Sequence, residues 1–184
     1  MGRKEVSPTE TEALLGILDF LIGARKNTYA SGHDPKRSRT MPGAYEFHYS
    51  EGTLRYKDVY RTGREGAGGF AGIETVDQLS RRERKVVLTY AYAGGLTRRG
   101  VLYYGEEFVW DPLRFFLRVH VDKVRLGLPV VDEGFDNKDG QWRYVGKGDG
   151  RRMPWGWQDE ERITLNGRAL YVFRGTAVLK DLPF

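Results

Sequence analysis

The sequence predicts an α+β fold: a curved antiparallel sheet built from two related helix-plus-meander halves, with two helices packed on one face. Two segments have the apolar spacing of amphipathic helices, and short alternating stretches between glycine-rich turns are typical of strands. One phrase, acid-Gly-x-apolar-Arg-Tyr, also occurs twice. The copies are Glu51-Gly52-Thr53-Leu54-Arg55-Tyr56 and Asp139-Gly140-Gln141-Trp142-Arg143-Tyr144.

The repeated phrase predicts a single domain over 1–184 with pseudo-duplicated halves at about 8–95 and 109–176. Each copy is followed by a glycine-rich gap, an aromatic residue and a glycine, and then by an apolar stretch. The alternative is coincidence, because turn-then-strand segments of this composition recur by chance in strand-rich chains.

Composition limits the class of protein. With 184 residues, 40% hydrophobic and 13% aromatic, the chain is long enough to bury a sizeable core. It contains no cysteine, which excludes disulfides, thiolate metal ligands and cysteine nucleophiles. We find no signal peptide pattern and no apolar run of membrane-spanning length. We therefore expect a cytoplasmic protein that does not enter a membrane.

The formal net charge is +5, and the basic residues are clustered. One interpretation is a phosphate-rich partner such as nucleic acid, bound through arginine-rich loops. The other is solvated loops, which we favour because acidic clusters are interspersed with the basic ones. The basic clusters are Lys36-Arg37-Ser38-Arg39, Arg81-Arg82-Glu83-Arg84-Lys85, Arg98-Arg99 and Arg151-Arg152.

Two helices are predicted. Ser7-Pro8-Thr9-Glu10 has the cap, the first-turn proline and the acidic residue that start a helix, and we expect this helix to end near Arg25. A second helix is predicted from Asp111-Pro112 to about Arg125, before Gly127. The apolar stripe of the first helix is Leu14, Ile17, Leu18, Leu21 and Ile22.

Strands are predicted where apolar and polar residues alternate. In the segment after the Glu51-Gly52 turn, Leu54, Tyr56, Asp58 and Tyr60 should share one face. Gly94-Gly95 is expected to stop the last strand of the first half. The predicted strands of this half are Tyr45–Tyr49, Leu54–Tyr60, Phe70–Val76 and Val86–Tyr92.

In the second half, the acidic stretch from Val130 to Gly140, after the predicted helix, is predicted to be a loop. Asn166-Gly167 suits a tight hairpin turn, since both residues tolerate positive φ. Ala177-Val178-Leu179 is expected to form a short edge strand that could pair with a second copy in a homodimer. The predicted strands are Gln141–Val145, Trp157–Leu165 and Arg168–Phe173, and Gly146–Pro154 is a predicted loop.

Several segments of the chain resemble an uncharacterised prokaryotic domain family of unknown function. The similar motifs are Asn27-Thr28-Tyr29-Ala30, Arg39-Thr40-Met41-Pro42-Gly43, the stretch from Glu51 to Tyr60, and Phe70-Ala71-Gly72-Ile73-Glu74. The resemblance covers roughly 14–175 and departs from the family pattern at Ala91 and Ala93. Some members of that family follow helix-turn-helix domains, but their activity is unknown, so the resemblance implies a shape rather than a reaction.

The best candidate site is a set of acids and tyrosines. Asp58 shares its strand face with Tyr60, and Glu74 on the following strand is expected to face the same way. Such an aspartate either has a hydrogen-bond donor nearby or a raised pKa. The remaining candidates for the same cavity are Asn27, Tyr29, Arg39 and Tyr92.

This set permits two interpretations. In one, a tyrosine-lined cavity between helix and sheet binds a small molecule, with Arg39 recognising an anionic group. In the other, Arg39 neutralises Asp58 or Glu74 within an internal polar network. We take small-molecule binding as the first hypothesis, and an enzyme using Asp58 or Glu74 as general acid or base as the alternative.

Metal and cofactor chemistry have little support in the sequence. His33, His48 and His120 lack the spacing of a metal site, and we expect His48 to be exposed. No nucleophile elbow or phosphate-binding glycine loop is present. We expect neither a metal nor a cofactor, and nucleic acid binding is the weakest hypothesis.

Overall fold

In the part of the chain that the structure describes, one helix, a short 3-10 turn and nine antiparallel strands form an α+β architecture dominated by its sheet. The computed structural model describes residues 8–63, 69–81, 83–97, 136–140, 142–148 and 156–180. The helix is α1 (Pro8–Asn27), and the 3-10 turn is Tyr29–Ser31. The strands are β1 (Lys36–Arg37), β2 (Tyr45–Glu51), β3 (Leu54–Thr62), β4 (Phe70–Leu79), β5 (Arg84–Leu96), β6 (Asp136–Asp139), β7 (Trp142–Gly148), β8 (Gly156–Leu165) and β9 (Arg168–Leu179).

Two meanders meet in the middle of the sheet. The strand order is β1-β2-β3-β4-β5-β9-β8-β7-β6, so β5 and β9 join one meander to the other. The last strand is therefore interior, and the prediction of a short edge at Ala177-Val178-Leu179 is wrong. Ala177 pairs with Tyr90 and Leu179 with Leu88. Because β9 has a neighbouring strand on each side, it cannot pair edge to edge with a second copy. A homodimer through another surface stays a prediction.

Three boundaries differ from the predicted ones. Gly94-Gly95 does not end β5, which continues to Leu96. A Cβ at Gly94 would lie 2.8 Å from the Tyr171 hydroxyl. The glycine gives room for packing instead of stopping the strand. Gly146 to Gly148, predicted as loop, belong to β7, and the acidic stretch at 136–139 is a strand rather than a loop.

Both copies of the repeated phrase lie at equivalent hairpin turns. Gly52, between β2 and β3, has φ +54°, and Gly140, between β6 and β7, has φ +59°. Tyr56 and Tyr144 then occupy corresponding, fully buried positions on β3 and β7. The Asn166-Gly167 turn is confirmed, with φ +50° and +75°. The second predicted helix, 111–125, lies outside the described residues.

Helix α1 packs on the first meander, mainly against β2 and β3. Its predicted apolar stripe is confirmed at Ile17 and Leu21, which are buried in the core, and Phe20 lies 5.8 Å from the ring of Tyr49. In the part of the chain that the structure describes, no helix combines the length and hydropathy of a membrane span.

Candidate functional site

Buried acidic side chains lie on the inner face of the sheet. Asp58 on β3 and Glu74 on β4 are directly paired across neighbouring strands, and each is 3% exposed. Asp159 and Glu161 are buried on β8, in the other meander. Directly opposite residues in an antiparallel pair have Cβ atoms about 5 Å apart. Asp58 and Glu74 therefore place two carboxyl groups side by side, away from water.

Arg25 compensates one of these two carboxyl groups. It lies in the last turn of α1, is buried, and donates from Nη2 to Glu74 Oε2 at 2.5 Å. Its Nε lies 3.2 and 3.1 Å from the two Glu74 oxygens. Its guanidinium carbon also lies 5.1 Å from the centre of the Tyr90 ring. Burial lowers the pKa of Arg25, but Glu74, Tyr29 and Tyr90 together outweigh this effect, and the pKa is raised. Arg25 is thus a charged group bound on two sides.

Asp58 has a different environment. Its Oδ1 accepts a hydrogen bond of 2.7 Å from the Tyr92 hydroxyl, and no ion pair joins it to any described residue. Burial raises the pKa of Asp58 to about 8, and the charge of Glu74 contributes in the same direction. At neutral pH Asp58 is therefore mainly the uncharged acid.

Glycines make room for two tyrosines of β5 to reach aspartates two strands away. Tyr92 crosses Gly72 on β4 to reach Asp58, and a Cβ at Gly72 would collide with the Tyr92 hydroxyl. On the other side, Tyr90 donates to the Asp159 oxygens at 2.8 and 2.9 Å. Here Gly175 leaves the space, since its Cβ would collide with the Tyr90 hydroxyl and Asp159.

Aromatic rings surround the Asp58 position. Phe47, its direct partner on β2, stacks on Tyr60 with 6.1 Å between ring centres. Tyr45 lies 5.8 Å from Tyr60, and Phe70 meets Tyr92 edge-on at 5.9 Å. Burial raises the pKa of Tyr60 to about 12 and raises that of Tyr92 further. Both hydroxyls keep their protons across the physiological range.

Among the described residues, the buried polar atoms without a hydrogen-bond partner include Tyr56 Oη and Trp157 Nε1. Buried polar groups are nearly always satisfied, so each such atom requires an explanation. Tyr56 lies two residues before Asp58 on β3, so both side chains are on the same buried face of the strand. Burial, and then the charges of Glu74 and Asp58, raise the pKa of its hydroxyl.

The structure brings together five of the seven predicted site residues. Asp58 and Glu74 are buried neighbours, and Tyr29, Tyr60 and Tyr92 are half-buried beside them. Burial raises the pKa of Tyr29, and the charges of Arg25, Glu74 and Asp58 all act on it.

Asn27 and Arg39 lie apart from this group. Asn27 is exposed at the end of α1 and donates to the carbonyl of Gly23 at 2.8 Å. Arg39 is exposed in the loop after β1, and the ion pair with Glu74 is made by Arg25 instead. The internal network that the sequence predicted exists, but with a different arginine.

Sequence reasoning missed Arg25, Tyr90, Asp159 and Glu161. Arg25 follows the buried Leu21 by one helical turn, a spacing that places both on the same face of α1. Asp159 and Glu161 lie between the buried Trp157 and Ile163 at steps of two residues, which is the signal of inward-facing strand positions. The patterns were present, but charge usually indicates exposure.

The described residues contain no group of three or more histidine, aspartate or glutamate side chains that could hold a metal ion. His48 is exposed, as expected, and makes a contact of 3.2 Å with Glu46 on the outer face. No family model, no curated protein and no solved structure matches the chain. The resemblance to a domain family therefore stays a prediction.

Proposed function

We propose that the protein is a small-molecule-binding domain whose ligand sits between α1 and the inner face of the sheet, beside Asp58, Tyr60 and Tyr92. The observation that carries this proposal is Asp58 itself. It is a buried carboxyl group with one tyrosine partner and no ion pair, set among half-buried aromatic rings. Ligand sites in proteins commonly combine aromatic walls with a few convergent polar groups.

A purely structural role explains Asp58 less well. An uncharged side chain of similar size would fill this position without the desolvation cost that a carboxyl group carries. Glu74 differs, because its pairing with Arg25 ties α1 to β4. Local rules are most often broken at functional positions, and Asp58 breaks the rule that a sheet core is apolar or paired.

A thermal-shift screen against a metabolite library tests this proposal. We expect at least one compound to raise the melting temperature of the wild type but not of Asp58→Asn, which keeps an oxygen for Tyr92. Asp19→Asn, at an exposed position on α1, removes a carboxylate elsewhere and should respond like the wild type. If no compound shifts the wild type, or if Asp58→Asn responds equally, the proposed function is wrong.

An enzyme is the second candidate, and the raised pKa of Asp58 favours it. A carboxyl group that stays protonated near pH 7 can donate a proton to a bound substrate. Glu74 is less suited to that role, because Arg25 holds it at 2.5 Å. If a ligand from the screen is converted, the rate should fall as the pH rises through about 8 and should be lost in Asp58→Asn.

We also propose that the two meanders are related halves. The pairing of Tyr56 with Val76 on β3 and β4 corresponds to that of Tyr144 with Ile163 on β7 and β8. Two residues further along β3 and β7, the pair Asp58 and Glu74 corresponds to the pair Gly146 and Glu161. The halves thus differ where Asp58 stands, which supports a ligand site in the first half.

A further inference from the structure

We propose that the ligand is a small organic cation carrying N–H donors, an ammonium or guanidinium group that binds Asp58 between the rings of Tyr60 and Tyr92. This inference rests on the proposed function and adds the ligand class to it. It reverses the expectation of an anionic substrate, which depended on Arg39. That arginine is exposed and outside the cluster.

The first argument is the charge count of the site. Asp58 and Glu74 are paired and buried, and the described groups acting on Asp58 include one cation, Arg25. Arg25 is already bound, because it contacts both Glu74 oxygens and stacks over Tyr90. Two carboxyl groups therefore share one guanidinium, and no second cation among the described residues pairs with Asp58.

The second argument is the ring arrangement. Tyr60 follows Asp58 by two residues on the same strand face, Tyr92 donates to it, and Phe47 lies directly opposite on β2. Phe47 and Tyr60 stack with an interplanar angle of 14°. Ring faces attract cations, and aromatic cages are used for organic ammonium ligands.

The third argument is the hydroxyl of Tyr56. It is buried on the same face of β3, two residues before Asp58, and has no hydrogen-bond partner. A hydroxyl oxygen can accept a hydrogen bond from an N–H of the ligand. A cation with several N–H groups would satisfy Tyr56 and Asp58 together, whereas an anion would meet two acids.

Proton release accompanies such binding. Before binding, Asp58 holds a proton, and the bound complex contains ionised Asp58 and the cation, so one proton leaves to solvent. The described titratable and charged groups facing Asp58 are Tyr56 and Tyr60 on β3, Glu74 on β4, Tyr92 on β5, Arg25 on α1 and Tyr29 in the 3-10 turn. The tyrosines have raised pKa values and Arg25 stays charged, so Asp58 is the proton source.

Isothermal titration calorimetry tests the proposal with benzylguanidinium, butylammonium and choline, and with benzylurea as the uncharged isostere of the first. We expect at least one N–H cation to bind, benzylurea to bind at least about tenfold more weakly, and choline to bind more weakly than the N–H cations. In buffers of different ionisation enthalpy, benzylguanidinium should release about one proton near pH 6.5 and almost none near pH 9.5.

Three variants complete the test. Asp58→Asn should weaken cation binding at least about tenfold and abolish proton release, and Tyr60→Leu should weaken binding severalfold. Asp19→Asn, on the exposed side of α1, should match the wild type. Circular dichroism and the melting temperature confirm that each variant folds. Should Asp58→Asn fail to fold, buffer-dependent proton release by the wild type alone decides the question.

The outcomes separate this inference from the proposed function. If benzylurea binds as tightly as benzylguanidinium, or if neither N–H cation binds, the cation class is wrong. In that case an uncharged metabolite that stabilises the wild type but not Asp58→Asn would leave the ligand-binding function in place. If binding persists unchanged in Asp58→Asn, the assignment of the site is wrong as well.

Discussion

Asp58 makes the folding stability of this protein depend on pH. In the folded chain its pKa is raised to about 8, whereas in the unfolded chain it should ionise near the ordinary value of about 4. Between these values the folded state binds one proton more than the unfolded state. Stability contributed at this position is therefore present at low pH and lost as pH rises toward 8, with a slope of roughly 1.4 kcal/mol per pH unit.

The first prediction follows from this sign. The stability difference between wild type and Asp58→Asn, measured by urea unfolding from about pH 5 to about pH 8, should shift in favour of the variant as pH rises. Other titrating groups cancel in this difference, because both proteins contain them. Asp19→Asn, on the exposed face of α1, should show no such trend. Parallel curves for wild type and Asp58→Asn would contradict the raised pKa.

The second prediction concerns Arg25 and Glu74. Arg25→Met should destabilise the protein by about 3–5 kcal/mol, because it leaves the Glu74 carboxylate buried without its partner. Adding Glu74→Gln should recover part of that loss, since the remaining uncompensated charge is then removed. Chemical unfolding of the two single variants and the double variant gives the coupling energy.

An exposed ion pair supplies the matched control. Arg174 and Glu160 meet at 2.7 Å on the outer face, and the Arg174 side chain is 71% exposed. Arg174→Ala should cost no more than about 1 kcal/mol, because solvent screens such pairs. If Arg25→Met costs as little as Arg174→Ala, the buried pair does not hold α1 on the sheet.

At the scale of elements, glycines in β4 and β9 allow tyrosines of β5 to cross their neighbours. The third prediction is that Gly72→Ala and Gly175→Ala each destabilise the protein by about 1–3 kcal/mol, since the new Cβ would overlap Tyr92 or Tyr90. Gly72→Ala should not abolish the pH trend predicted for Asp58, because burial and Glu74 still raise the pKa of the carboxyl group when the Tyr92 hydrogen bond, which lowers it, is lost.

Gly23 in α1 is the control for these substitutions. A Cβ at Gly23 meets nothing within 4 Å, so Gly23→Ala should stabilise the helix by up to about 1 kcal/mol. Thermal and urea unfolding of the three variants give the comparison. Equal effects at Gly23 and Gly72 would show that backbone entropy, rather than the space for Tyr92, determines the cost.

Some elements could be predicted from local pattern and others could not. The alternation of Tyr56, Asp58 and Tyr60 was enough to place them on one face, because side-chain direction in a strand has a strict period of two. The prediction that Gly94 ends its strand was wrong, because a glycine that ends a strand and a glycine that makes room for a tyrosine cannot be distinguished in the sequence. The choice between Arg25 and Arg39 required knowing how α1 lies on the sheet and brings Arg25 to Glu74, which no local pattern contains.

At the scale of the whole molecule, the joint between β5 and β9 decides whether the two meanders act as one unit. Nine residue pairs link these strands, from Leu88 with Leu179 to Leu96 with Tyr171. The Tyr90 hydroxyl also reaches Asp159 across β9, so a side chain of the first meander is bonded to the second. The pairing of β5 with β9 could not be predicted from local sequence patterns, because it joins segments far apart in the chain.

The fourth prediction is that both meanders unfold together. In native-state hydrogen exchange, the backbone amides of β5 and β9 should exchange with one shared free energy, equal to that of global unfolding from urea. The amides of β1 and β6, which are short strands at the described edges, should exchange at lower free energy, because each has a neighbour on one side.

Tyr90→Phe, which removes the hydroxyl bonded to Asp159, should lower the protection of β5 and β9 by equal amounts. If β8 and β9 instead lose protection while β3, β4 and β5 keep theirs, the meanders are separate cooperative units, and the joint merely places them side by side.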